Sequence, residues 1–136
     1  MLVIDASAAL YIAASEGGFE SFGSTNEVAF FAPALLWSEA TSVLKEMRWR
    51  GELSEPLGTI TFERVMRAPI RRRASAPLYA AARDVARELG WAKTYDAEYV
   101  ALARMLDAAL VSRDGRLRRG ASRLVEVVGP DDVRSR

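Results

Sequence analysis

The chain opens Met1-Leu2-Val3-Ile4-Asp5-Ala6-Ser7-Ala8-Ala9-Leu10-Tyr11-Ile12-Ala13-Ala14. Leu2 to Ile4 is a short apolar run that stops at an acid, and Ala6 to Ala14 then reads as a helix. A continuous apolar run suits a strand buried on both faces, and a strand that feeds directly into a helix is an α/β signature.

The same alternation runs through the rest of the chain. Gly17 to Asn26 is rich in Gly and Ser and reads as a loop with room for one helical turn. Val28 to Phe31 is a second strand, closed by Pro33. Leu36, Ala40, Val43, Leu44 and Met47 keep helical spacing within a helix from about Leu35 to Arg50, with Gly51 as its cap. A further helix covers Glu55 to Met66. Ala68 to Arg73 suits a short edge strand, although Pro69 weakens that reading. Leu78, Ala82, Val85 and Leu89 mark a helix over Ser75 to Leu89 that Gly90 ends, and Tyr99, Val100, Ala103 and Leu106 mark another over Asp96 to Leu106. Ala109 to Val111 is the third strand and Leu124 to Val128 the fourth, stopped by Gly129-Pro130. The expected fold is therefore a three-layer α/β/α sandwich around a mostly parallel sheet of four to five strands. With 136 residues and no long Gly, Pro or Ser-rich linker, residues 1–136 are expected to form one domain.

Composition narrows the chemistry. Half the residues are apolar and 27 percent are charged, an ordinary soluble balance. Net charge is +1, so bulk charge says little about nucleic-acid binding. There are no cysteines, hence no disulfide, thiolate zinc site or cysteine nucleophile. There are no histidines either, which excludes a Ser-His-Asp triad and any His-ligated metal centre. No basic segment followed by a long apolar one opens the chain, and no apolar stretch reaches the roughly 20 residues that span a bilayer. A soluble, cytoplasmic protein with no membrane contact is the expectation.

Any polar chemistry then falls to carboxylates, lysines, arginines and hydroxyls, and four acids stand out. Asp5 ends the first strand, where it suits an N-cap and equally a ligand site at the carboxyl edge of a sheet. Glu39 comes three residues after Leu36 and four before Val43, so it falls on or beside an apolar helix face. A carboxylate there needs an arginine partner or a metal, because burying it alone costs several kcal/mol. Asp96 precedes Tyr99, Val100 and Ala103 and faces inward likewise, unless it caps its helix in competition with Thr94. Asp114 follows the third strand and precedes Gly115, a common turn pair. One mouth at the carboxyl edge of a parallel sheet is able to collect all four. Acids that close repel unless a divalent cation neutralises them, and oxygen ligands without Cys or His select Mg²⁺ or Mn²⁺. Phosphodiester hydrolysis is the natural reaction of such a site.

Four segments carry a resemblance: Val3-Ile4-Asp5-Ala6-Ser7, Trp37-Ser38-Glu39-Ala40, Tyr95-Asp96-Ala97-Glu98-Tyr99-Val100-Ala101-Leu102-Ala103, and Leu110-Val111-Ser112-Arg113-Asp114-Gly115-Arg116-Leu117. In this order and at these intervals they resemble the PIN domain, in particular the VapC toxins of bacterial and archaeal toxin–antitoxin pairs. The resemblance spans nearly the whole chain, and the third segment is its most specific part. It implies Mg²⁺- or Mn²⁺-dependent cleavage of single-stranded RNA by an endoribonuclease, with Asp5, Glu39, Asp96 and Asp114 as catalytic and metal-binding acids. It gives Ser7 and Ser112 as supporting hydroxyls, which also suit plain backbone capping. It implies a homodimer and a VapB-like antitoxin that blocks the site.

Two arginine groups, Arg71, Arg72 and Arg73, and Arg113 with Arg116, are candidates for RNA phosphate contacts or simply solvated faces. Exposed aromatics such as Trp37, Trp49, Tyr11 or Phe19 suit an interface or rim packing. Three rivals remain in view. One is a non-catalytic PIN-like module that binds RNA or protein, against which the complete set of acids argues. Another is a haloacid-dehalogenase-like phosphotransfer domain with Asp5 as nucleophile, but such enzymes want a second Asp where Ser7 stands. Nucleotide hydrolysis lacks its Gly-rich phosphate loop.

Overall fold

The computed structural model describes residues 1–22 and 28–134. Their order is β1 (Leu2–Ile4), α1 (Ala6–Ala14), a 3₁₀ turn (Gly18–Phe22), β2 (Phe30–Pro33), α2 (Leu35–Trp49), α3 (Glu55–Arg67) and β3 (Ile70–Arg73). Then come α4 (Ala76–Leu89), α5 (Tyr95–Leu106), β4 (Ala109–Val111), α6 (Gly115–Ala121), β5 (Val127–Val128) and α7 (Pro130–Arg134). Residues 23–26 of the expected loop lie outside the described residues.

All five strands are parallel, in the order β3-β2-β1-β4-β5. β1 is central, and Val3 and Ile4 are completely buried. Each such side chain contributes about 1.5–3 kcal/mol on burial. The chain moves outward from β1 to β3 and then crosses back to β4 on the other side of β1. Right-handed crossovers therefore send the two sets of helices to opposite faces. α1, α2 and α3 pack on one another, while α4 packs against α5, which in turn covers β1, β2 and β4. β1 and β4 flank the point where the winding reverses, and ligands of open α/β sheets bind at the carboxyl ends there.

Local signals place the helix starts. Ser54 and Ser75 accept from the backbone N–H groups of Leu57 and Leu78, and a proline sits in each first turn.

Several expectations need revision. β2 runs Phe30–Pro33, so Pro33 lies inside the strand. The ladder with β1 ends at Phe31, so β1 asks nothing of the missing proline N–H. β3 is an edge strand, as expected, and Pro69 stands just before it. The last strand shrinks to Val127–Val128, because Leu124 and Val125 donate back to the Ala121 carbonyl and finish the α6 turn. Two helices were not expected, α6 and α7. Gly129-Pro130 does end β5, and Pro130 also starts α7, as a proline is able to do at a first helical position. Val43 is exposed, so the buried stripe of α2 is Leu36, Ala40 and Leu44. α5 is buried without a break from Ala97 to Ala103, because it lies between the sheet and α4.

Candidate active site

Asp5 is the first residue after β1 and caps α1. Its Oδ1 accepts from the Ala8 N–H at 2.9 Å and from Ser7 Oγ at 2.7 Å. Its Oδ2 accepts from Ser112 Oγ, which is fully buried. Capping and site membership are thus not alternatives: both oxygens are held in place. Ser112 Oγ in turn accepts from the Asp114 N–H at 3.1 Å, and Ser7 Oγ accepts from the Arg113 N–H at 2.9 Å. The two serines tie the β1 end to the β4 end.

Asp114 lies three residues beyond β4 and caps α6, accepting from Arg116 and Leu117 N–H through Oδ1. It is a helix cap rather than a simple turn residue. Arg118 braces the same loop by donating to the Ser112 carbonyl at 2.9 Å.

The other two acids stand on helices. Glu39, on α2, is half-buried, and its Oε1 accepts from the Tyr99 hydroxyl at 2.5 Å. Asp96, the second residue of α5, is also half-buried. Thr94 takes the N-cap position without a side-chain bond, so neither residue caps α5.

The charges of the four close into a ring. Burial is the main cause that raises the Asp5 carboxyl above its ordinary pKa; the bonds from Ser112, Ala8 and Ser7 oppose it, and the Asp114 charge adds to it. Burial likewise raises Glu39, against the Tyr99 bond and with the charges of Asp96, Asp5 and Glu98. Burial and then Asp114 raise Asp96, while Arg116 lowers it. Asp5 feels Asp114, Asp96 feels Asp114, and Glu39 feels both Asp96 and Asp5. Tyr99 is nearly inaccessible, and burial and the Glu39 charge push its hydroxyl far above the ordinary range. It stays a neutral donor to Glu39.

Residues 2–122 match the family model of the PIN domain. The chain belongs to the PIN-domain family. Solved structures with the same fold include PAE2754 from Pyrobaculum aerophilum, with a TM-score of 0.76, 19% identity and coverage of 98% of this chain and 93% of that one. FitAcB from Neisseria gonorrhoeae aligns with a TM-score of 0.56 at 17% identity, covering 96% and 98%. A PilT N-terminus domain protein, SSO1118 from Sulfolobus solfataricus, aligns at 0.56 and 18%, covering 98% and 90%. A search of curated protein sequences finds no match. PIN domains are generally nucleases and usually use divalent metals.

The donor set of this PIN domain suits such an ion in one particular way. All candidate ligands are carboxylate oxygens, and the acids raise one another's proton affinity, as groups awaiting a countercharge do. Among the described residues, however, no three of them stand close enough to hold an ion together. Asp5 and Glu39 already spend acceptor sites on the serines, the Ala8 N–H and Tyr99. A closed protein cage is therefore not what the fold provides. A hydrated Mg²⁺ or Mn²⁺ held through one or two carboxylates fits, and Mg²⁺ commonly binds so, keeping its waters and gaining substrate phosphates.

The arginines separate into two groups. Arg116 is the one whose charge reaches Asp96. Arg113 stacks over Tyr11 at 4.0 Å, and Tyr11 donates to Asp131. On the edge strand, Arg71 and Arg73 lie over Phe31 and Arg72 over Trp37, as the two-residue alternation of β3 requires. That trio belongs to the sheet edge and does not figure among the charges that act on the acids. Trp49 is exposed, and Phe19 packs edge-on against Phe30.

Sequence reasoning missed Tyr99 as a site residue, because it sits on an apolar stripe. Its signal was its place three residues after Asp96, which gives the two a common helix face. Glu98, buried in the same turn with its carboxyl raised by burial, was also missed.

Proposed function

We propose that the protein is a metal-dependent endoribonuclease that cleaves single-stranded RNA, acting as the toxin of a toxin–antitoxin pair. The observation that carries this reading is the ring of four acids, drawn from four separate elements to the winding reversal of a PIN fold. In this reading Asp5, Asp96 and Asp114 would hold a hydrated Mg²⁺ or Mn²⁺, one or two of them directly and the rest through its waters. The ion, when bound, lowers the pKa of water and offsets charge at the phosphorus centre.

The protein's own groups do the rest. Ser112 and Ser7 fix the Asp5 carboxylate so that its direction is set before substrate arrives. Glu39, with a proton affinity raised toward working pH, accepts a proton from the attacking water, while the Tyr99 hydroxyl keeps its second oxygen oriented. Arg116 draws the RNA phosphate toward Asp96 and partly shields its charge. Arg113 and the Arg71 to Arg73 strip provide further contacts along the backbone.

The resemblance to VapC toxins and the fold shared with FitAcB support a VapB-like antitoxin partner. One similar structure, at 17% identity and a TM-score of 0.56, shows FitAB bound to a DNA fragment. A homodimer, a cytoplasmic setting and a single domain over residues 1–136 complete the proposal. Among the described residues no helix is long and apolar enough to cross a membrane.

The test is cleavage of single-stranded RNA by the purified protein in Mg²⁺ or Mn²⁺, beside Asp5→Asn and Asp96→Asn. Cleavage that disappears in both variants is expected, and undiminished activity in both sinks the assignment. The rival, a non-catalytic PIN-like module, draws on the lack of a ready three-acid cluster. Calorimetric titration with Mn²⁺ separates the two, since a scaffold takes up no ion through Asp5 or Asp96.

A further inference from the structure

The helix-borne acids open onto a hollow of about 440 Å³ whose aromatic side has no role so far. Its size falls within the roughly 300–1,000 Å³ of small-ligand pockets. Glu39 and Asp96 line one part of it, and Trp91, Lys93, Tyr95 and Arg116 line the rest. Two aromatics and two cations thus adjoin the acids proposed to do the chemistry.

Trp91 is fixed there by the backbone. Gly90 takes a left-handed φ of 71° at the end of α4, and the Trp91 N–H donates to the Ala86 carbonyl at 2.8 Å while Gly90 N–H reaches Arg87. This is a Schellman ending, which fixes where the chain leaves the helix. The indole then lies against α6 at Gly120, where an added Cβ would stand 2.5 Å from its Cζ2. A glycine at that position is what lets the ring approach. Tyr95 behaves differently: it is 57% exposed at the start of α5. Packing gives no reason to hold an aromatic ring in water there.

We propose that this hollow is a subsite for one unstacked nucleobase of the RNA, bound against Tyr95 and Trp91, with the adjoining phosphate paired to Arg116. The inference rests on the nuclease reading and deepens it. Single-stranded bases offer free π-faces that stack on aromatic rings, whereas duplex bases are already stacked on each other. Acids alone repel a polyanion, so cations in the same hollow are needed for a phosphate to approach. A base held here belongs to a nucleotide next to the scissile phosphate, so the subsite places one unpaired nucleotide beside the cut and accepts any base.

The experiment uses the Trp37→Phe/Trp49→Phe protein, in which Trp91 is the remaining tryptophan, titrated with a short single-stranded oligoribonucleotide in EDTA. Quenching of Trp91 fluorescence is expected with the oligonucleotide and not with an abasic one of equal length. Tyr95→Ala is expected to weaken binding about tenfold, within the range for losing one base stack, and Tyr95→Phe to retain it. Because Tyr95 is exposed, its variants are expected to melt as the parent does. Equal binding by Tyr95→Ala, quenching by the abasic strand, or no quenching at all overturns the subsite. RNA cleavage by the wild type that requires Asp5 would then leave the nuclease reading standing. Absence of both cleavage and binding removes the two together.

Discussion

The strand-borne acids and the helix-borne acids of the ring are held in opposite ways. Asp5 and Asp114 follow strands and cap helices; Ser112 joins the two directly, and Ser7 ties Asp5 to the neighbouring Arg113 N–H. Asp5 alone accepts three bonds from the chain. Among the described residues the Glu39 side chain has one hydrogen-bond partner, Tyr99, and Asp96 meets repulsion from Asp114 and attraction from Arg116. The strand half is organised at rest, since its donors are backbone amides and a buried hydroxyl. The helix half keeps free acceptor capacity beside an open hollow. Under the proposed function, the contrast means that one half sets position and the other meets what enters the site.

The hardest blow to this picture comes at Asp5. Asp5→Asn is expected to cut RNA cleavage by at least about 100-fold, the scale of losing a group that stabilises developing charge. It is also expected to destabilise the fold by about 1–3 kcal/mol, because an amide group facing Ser112 leaves the buried hydroxyl proton without its acceptor. Activity and urea midpoint unchanged from wild type would show that the strand half organises nothing.

Ser112→Ala comes next. It strips a donor from Asp5 and an acceptor from the Asp114 N–H in a fully buried place. A loss of about 1–3 kcal/mol in urea unfolding is expected. Cleavage is expected to fall about 10- to 100-fold, as for partners that orient metal ligands. Ser7→Ala, only part-buried, is expected to cost less, about 1 kcal/mol. A serine pair of equal, negligible effect would erase the distinction between the halves.

On the helix side, Tyr99→Phe removes the one bond that holds Glu39 down. The Glu39 proton is then retained to higher pH. The acid limb of the pH–rate profile is expected to move upward, with a loss of about tenfold on that limb. A profile that shifts downward, or not at all, contradicts the assigned role.

The smallest effect separates the halves by sign. Asp96 has a raised pKa in the folded protein, so its stabilising contribution is present below the unfolded value of about 3.9 and is lost as pH rises through the folded one. At neutral pH its charge therefore works against folding when no cation is present. Asp96→Asn in EDTA is expected to raise stability at pH 7 by about 0.5 kcal/mol after solvent screening, and to lose that gain toward pH 4. The Asp5 carboxyl is raised as well, but Asp5→Asn also takes the acceptor from buried Ser112, so its net change is expected to be a loss. Urea unfolding at the two pH values checks it, and a destabilised Asp96→Asn would mean the two halves are built alike.

Much of this was legible in the chain. Leu2 to Ile4 and Ala109 to Val111 read as buried strands because an uninterrupted apolar run admits few alternatives, and Ser75 with Gly90 bounded α4 to the residue. Glu39 and Asp96 were visible as acids on apolar helix faces, and Asp5 as an acid at the carboxyl end of a strand. Less legible was α6, because Gly115 to Ala121 has only Leu117 and Ala121 as an apolar pair and depends on the Asp114 cap. Leu124 and Val125 looked like strand but were drawn into the end of α6 by hydrogen bonds to Ala121.

By itself the sequence determined which residues are charged, where strands turn into helices, and that no histidine or cysteine takes part. Periodicity and caps are local properties, so they survive reading one residue at a time. Only the tertiary structure decided that Ser112 bridges Asp5 to Asp114, 107 positions from the first of them, and that Tyr99 holds Glu39 across 60. It also decided that the four acids share a ring without closing on one another as a cage. Those facts depend on how parallel crossovers bring distant strand ends to one edge, and a pattern of neighbours along the chain does not encode that distance.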